Sequence, residues 1–169
     1  ERGFGPGSWT PDGKTFLYSQ STPEKNVYRY QDIYSIDVET KLRKRLTKTE
    51  RAREPAASPD GKWLVYVRNV GGTMELVLRN LKHPSGPERV LVGGTQYPTT
   101  HDAHWQQISQ PRFSPDSKKV VFSWWRLDDS QRDIWVVDLG TGGAPSLQRL
   151  TNDFAMDIDV PIEESLPAM

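Results

Sequence analysis

The 169-residue chain contains no cysteine. That excludes a disulfide framework, a Cys-type zinc site and a thiol nucleophile. It also lacks an excess of either charge. Lys+Arg and Asp+Glu both number 22, so no whole-chain field draws it toward nucleic acid or an anionic membrane. No apolar run approaches the length of a membrane-spanning helix. No secretory leader is visible, and a processed chain would show none. No segment sets apolar residues at helical spacing behind a capping box. The Gly-x-Ser-x-Gly elbow of serine hydrolases is missing, since Gly7-Ser8-Trp9 has no flanking glycine in register. Gly71-Gly72, Gly93-Gly94 and Gly142-Gly143 match neither phosphate-binding pattern and read as turns. What the chain does have is aromatic residues, six Trp and six Tyr among them. At that level they suit sheet packing first and a binding surface second.

One sentence of sequence is written three times. Residues 10–19 read Thr-Pro-Asp-Gly-Lys-Thr-Phe-Leu-Tyr-Ser, and residues 58–67 read Ser-Pro-Asp-Gly-Lys-Trp-Leu-Val-Tyr-Val. Residues 113–123 read Phe-Ser-Pro-Asp-Ser-Lys-Lys-Val-Val-Phe-Ser. Proline presets the φ of the second turn position, and aspartate can bond back to its own backbone. The β-branched and aromatic run that follows suits a buried strand. With the Pro-Asp pairs aligned, Phe16, Leu64 and Val120 share a column. Leu17, Val65 and Val121 share the next, and Tyr18, Tyr66 and Phe122 the one after. Asp32-Ile33-Tyr34 is echoed by Asp133-Ile134-Trp135, and Leu46-Thr47 by Leu150-Thr151.

Asp12, Asp60 and Asp116 recur at intervals of 48 and then 56 residues. Four antiparallel strands of roughly five or six residues plus turns fit that period. Four-stranded units repeated around an axis are propeller blades. The expected fold is therefore all-β, a partial β-propeller of about three four-stranded antiparallel blades at residues 8–48, 53–94 and 110–152. A sandwich is the structural alternative, but it would not demand the same turn three times. Gln20 to Gln31 reads as a polar loop, Glu1 to Gly7 as a loop or frayed strand, and Leu42 to Thr47 as a fourth strand. Blades occupy 1–154, and residues 155–169 form an acidic tail containing proline, with nothing resembling a cap. Three blades cover about half a circle, so the first and last should each present an apolar face. Remaining blades, a second copy of the chain or another subunit are the expected covers.

The Ser-Pro-Asp-Gly-Lys turn, the apolar strand, Asp-Ile-Tyr/Trp and Leu-Thr together resemble the TolB-type β-propeller repeat over about residues 8–154. Thr10 and Ser117 depart from the turn motif, and the second copy lacks both Asp-Ile-Tyr and Leu-Thr. The resemblance implies a propeller of roughly six blades, a periplasmic or otherwise extracytoplasmic setting, and a non-catalytic module that binds or scaffolds other envelope proteins. It also implies an alternative. Similar propellers stand before the catalytic domains of prolyl-oligopeptidase-like serine peptidases, which here would lie outside the chain.

In an up-and-down blade the Pro-Asp turns share one face, with short turns and little to bind with. The other face collects the loops between second and third strands and the links between blades. Function usually sits on such loops. The candidate partner-binding residues are therefore Tyr28, Tyr30, Tyr97, Trp105, Trp125 and Arg126. Of Trp124 and Trp125, alternation buries one between blades and turns the other outward. His101, Asp102 and His104 are the candidate metal set, read otherwise as a polar loop between blades. Asn152, Asp153, Asp157 and Asp159 offer oxygens without an EF-hand spacing. No cofactor is expected. The basic run from Lys41 to Arg53, interrupted only by Glu50 as an acid, reads as a charged outermost strand or as a surface for an acidic partner or anionic lipid head groups. Nucleic acid is not an expected partner.

Overall fold

The computed structural model describes residues 4–24, 28–93, 107–125, 132–140 and 145–151. Every element among them is a β-strand. The first sheet holds β1 (Phe4–Trp9), β2 (Thr15–Glu24), β3 (Tyr28–Asp37) and β4 (Arg43–Arg45). The second holds β5 (Ala52–Ala57), β6 (Trp63–Val70), β7 (Thr73–Asn80) and β8 (Glu88–Val92). The third holds β9 (Gln107–Phe113), β10 (Lys119–Trp125), β11 (Arg132–Asp138) and β12 (Ser146–Arg149). Each sheet is an antiparallel meander with its strands in sequence order. β5 packs on β1, β2 and β3, and β9 packs on β5, β6 and β7. The three sheets are thus stacked blades of a partial propeller, with β1, β5 and β9 innermost.

The Pro-Asp turns are the same object three times. Thr10, Ser58 and Ser114 each donate a side-chain hydroxyl to Asp12, Asp60 or Asp116 at 2.5–2.6 Å. The same carboxylates accept the N–H groups of Lys14, Lys62 and Lys118 at 3.0–3.1 Å. Gly13 and Gly61 close their turns at φ of 68° and 69°, where glycine has no Cβ to clash. Ser117 takes that role in the third turn at φ 61°.

Period-two alternation divides the core. On β6, Leu64 and Tyr66 face the first blade, together with Leu17, Ile33 and Val77. Val65 and Val67 face the third blade, with Leu76, Leu78, Ile108, Val120, Phe122 and Trp124. The second blade is therefore buried on both sides. On β10, Trp124 is buried with its ring edge-on to Trp135 at 5.2 Å, while Trp125 is half-buried.

A second repeated device ties strand four to strand three. Asp32 accepts from the Thr47 hydroxyl at 2.9 Å and from the Arg45 guanidinium at 2.6 Å. Asp133 accepts from Thr151 at 3.0 Å and from Arg149 in the same way. In the second blade the equivalent acid is Glu75, across β7 from Arg68, which donates to it at 2.6 Å. The pairing has moved from the fourth strand to the second, which accounts for the motif missing there.

Two expectations need correction. Gln20 to Gln31 is not a loop: β2 and β3 stay in register from Thr15↔Asp37 to Glu24↔Tyr28, leaving only 25–27 undescribed at the tip. The cause is continued alternation through Tyr28, Tyr30 and Asp32, which outweighs the polar composition. The segment before the first turn takes the strand alternative: it is β1, with a break in register between Phe4 and Gly7. The basic run is not one outer strand. Only Arg43–Arg45 form the short β4, whereas Arg53 lies on the innermost strand β5.

Candidate functional site

The link face gathers the described end of the β2–β3 hairpin, the β6–β7 turn, the end of β10 and the first residues of β5 and β9. Tyr28 opens β3 opposite Glu24, and Tyr30 lies opposite Thr22. Trp125 closes β10 between Gln107 and Arg132. Tyr30 and Trp125 therefore lie at the same end of their sheets, in different blades. Tyr97, Trp105 and Arg126 lie outside the described residues, as do His101, Asp102 and His104 and the residues 152–159. Among the described residues no group of His, Asp or Glu is placed to hold a metal ion. His83 is exposed in the loop before Pro84.

At the link-face end of the first two blades lies a cleft of about 350 Å³, which reaches past β5 to the side of β6 that carries Val67. Among the described residues its lining contains four arginines and no acid: Arg29, Arg51, Arg53 and Arg68. Gln31 and Asn69 add amides, and Val67 and Met74 add apolar surface. The fold explains the convergence. Arg29 and Gln31 fall on the same side of β3 as Ile33, the side that meets the second blade. Arg53 is directly across from Val67 in the β5–β6 ladder. Arg51 sits in the link at φ 51°, just before β5.

The four guanidinium groups are not equally committed. Arg68 is held by Glu75 and Glu88. Burial works against its charge, but those two carboxylates outweigh it and keep its pKa above the ordinary guanidinium value. Arg53 donates to the Met74 sulfur at 3.1 Å and lies 3.6 Å from Glu54. Arg51 lies over the Tyr30 ring at 5.0 Å. Among the described residues, no acidic side chain lies within ion-pair distance of Arg29 or Arg51.

The link that carries Arg51 is pinned from below. Glu50, the one acid inside the basic run, accepts from the Tyr66 hydroxyl at 2.9 Å and from Arg79 at 3.1 Å. Arg79 also donates to Glu88 and stacks on Tyr66 at 5.5 Å. Asp32 accepts the backbone N–H groups of Thr49 and Glu50 at 3.2 and 3.3 Å. Arg29, Gln31 and Asn69 escaped the sequence reading. The signal for the first two was the alternation of Tyr28 to Ile33, which extends the strand and sets their side.

The turn face is not barren, contrary to expectation. A cavity of about 570 Å³ opens there between the second and third blades. Trp63, Leu78, Pro87 and Leu139 form its apolar wall, with Arg89 and Lys118 at its polar margin. Arg89 donates to the Leu139 carbonyl at 3.0 Å and so bridges the two blades.

No protein-family model matches the chain. It is 31% identical over 146 residues to an uncharacterized protein of Agrobacterium fabrum, covering 82% of this chain and 44% of that one. It is 31% identical over 116 residues to dipeptidyl-peptidase 5 of Porphyromonas gingivalis, covering 68% of this chain and 15% of the peptidase. Among solved structures, TolB from Acinetobacter baumannii superposes with a TM-score of 0.65 at 25% identity, over 90% of this chain and 33% of TolB. An acylaminoacyl peptidase from Pyrococcus horikoshii shares the fold, with a TM-score of 0.59 at 14% identity, over 88% of this chain and 25% of the peptidase. The chain thus spans less than half the length of each of these proteins.

Proposed function

The chain has the TolB-type β-propeller fold, and from that premise we propose that it is a non-catalytic protein-binding or scaffolding module of the bacterial cell envelope. The observation that carries this reading is the arginine-lined cleft on the link face, beside Tyr30 and at the end of the first two blades. Binding surfaces of this type combine arginine and aromatic side chains on a fixed frame. Tyr30 and Trp125, at the same end of the blades, extend it, and Tyr28, Tyr97, Trp105 and Arg126 are further candidates for it from the sequence alone. The resemblance to TolB supports an extracytoplasmic location. No described helix is long and apolar enough to cross a membrane. The open outer faces of the first and third blades are covered, in order of preference, by further blades, a second copy of the chain or another subunit.

A second reading has its own support. The likeness to dipeptidyl-peptidase 5 favours the propeller of a serine peptidase whose catalytic domain lies elsewhere. Site-specific photocrosslinking separates the two. A crosslinker at Tyr30 is expected to capture a discrete envelope protein, while one at Lys118 on the turn face captures none. The protein in its native host is expected not to react with a fluorophosphonate serine-hydrolase probe. Labelling by that probe would install the peptidase reading instead.

A further inference from the structure

We propose that Arg29, Arg51 and Arg53 form a carboxylate-recognition site, and that its ligand is an acidic segment of a partner polypeptide. This rests on the reading of the link face as a protein-binding surface and names the chemistry of what it binds.

The charge distribution argues for an anion. Four guanidinium groups line one cleft with no acid among its described lining residues. Like charges gathered on a partly dehydrated surface repel one another, so such a cluster has its lowest energy with an anion between its members. Arg68 already has Glu75 and Glu88, and Arg53 has Glu54 on one side. Arg29 and Arg51 are the members without an acid among the described residues. A guanidinium presents parallel N–H donors that match the two oxygens of a carboxylate. Arg51 is oriented in advance by stacking on Tyr30, which lowers the entropy lost on binding. The Asn69 Oδ1 accepts the Gly72 N–H at 3.3 Å, so its amide nitrogen is the end left to donate.

The walls argue for a polypeptide rather than a small oxyanion. Val67 and Met74 form an apolar floor beside the guanidinium groups. The side chain of Glu or Asp brings methylene groups along with its carboxylate, and neighbouring apolar residues of the same segment can cover the Met74 side chain. A bare phosphate has nothing to place there. The volume, about 350 Å³, exceeds what one such ion fills. The cleft also lies open at the surface, where a passing chain can lie across it.

The test is fluorescence anisotropy with a labelled, end-capped peptide of alternating Glu and Leu, a matching peptide with Gln for Glu, and inorganic phosphate as competitor. The wild-type chain is expected to bind the Glu peptide, with affinity falling as salt rises, and to bind the Gln peptide about tenfold or more weakly. Arg29→Gln with Arg51→Gln is expected to remove that preference, with an unchanged circular dichroism spectrum. Lys44→Gln, on the exposed β4 outside the cleft, is expected to leave it intact. Equal binding of the two peptides, or an unaltered preference in the double variant, overturns the proposal. Phosphate binding without peptide binding overturns the polypeptide assignment. Should the double variant keep its photocrosslinked partner at Tyr30, the binding-module reading survives and the carboxylate site does not.

Discussion

The hydroxyl of Ser117 accepts a hydrogen bond from the backbone N–H of Asp60 at 3.0 Å, so the turn of the third blade holds the turn of the second. Ser117 stands where the other two copies have glycine, and it keeps their left-handed φ. A side chain there costs about 1 kcal/mol, and a net hydrogen bond returns about the same. Ser117→Gly removes both terms and should unfold at nearly the wild-type urea midpoint. Ser117→Ala keeps the strain and loses the bond, and should be less stable by about 1 kcal/mol. Equal midpoints for the alanine variant and the wild type would show that the bridge contributes nothing.

Asp32 is fully buried and accepts from Arg45, Thr47, Thr49 and Glu50. Removing one partner of such a buried set costs roughly 3–5 kcal/mol, so Asp32→Ala should be severely destabilised in chemical denaturation. The loss should also reach the cleft, since the Thr49–Glu50 backbone carries Arg51. Thr47→Val, which removes one donor to Asp32 and the acceptor of the buried Ile33 N–H, should cost about 2 kcal/mol and leave peptide binding in place. If the two variants were equally stable, Asp32 would not be the hub of this junction.

The blade count, the turns and the Asp32–Thr47 and Asp133–Thr151 echoes are legible in the sequence because each is set by residues close together within a repeat. The Thr10-to-Asp12 bond spans two residues, and the columns through Leu17, Val65 and Val121 follow from strand period alone. The cleft is different. Arg29, Arg51, Arg53 and Arg68 come from β3, a link, β5 and β6, and only the stacking of two blades brings them together. The basic run hides the same fact, since Arg43 and Arg53 sit on opposite edges of adjacent blades. Gly7 was equally opaque. It reads as loop glycine, yet a Cβ there would collide with the Phe16 ring and the Leu17 carbonyl.

The turn carboxylates set a pH dependence. Hydroxyl hydrogen bonds from Thr10, Ser58 and Ser114 are the main cause holding Asp12, Asp60 and Asp116 below the ordinary 3.8. A carboxyl with a lowered folded-state pKa stabilises the fold above its unfolded value, and that contribution disappears as pH falls through the folded value. Stability should therefore decline on acidification from about pH 5 to about pH 2. A triple variant with Thr10→Val, Ser58→Ala and Ser114→Ala should show a shallower decline over the same window. Urea midpoints across that range measure both slopes, and parallel slopes would dissociate the turns from acid sensitivity.

Ile33 and Ile134 occupy the same place in the first and third blades, yet Ile33 has no exposed surface and Ile134 is 39% exposed. Ile33 packs against the second blade, while Ile134 stands on the outer face of the third. Leu150 on that face is 52% exposed, and Trp9, at the other end of the stack, 55%. A buried isoleucine cut to alanine costs about 2–5 kcal/mol, whereas a surface change stays within about 0.5 kcal/mol. Ile33→Ala should therefore cost several times more than Ile134→Ala in the chain as it stands. The same geometry makes the outer face a docking surface for apolar dye, so Ile134→Lys with Leu150→Lys should lower dye binding without lowering stability. If a second copy covers that face, the lysine variant should instead shift the light-scattering mass from dimer to monomer. A wild-type monomer that binds no dye, with equal costs for the two alanine variants, would mean that three blades bury their own ends.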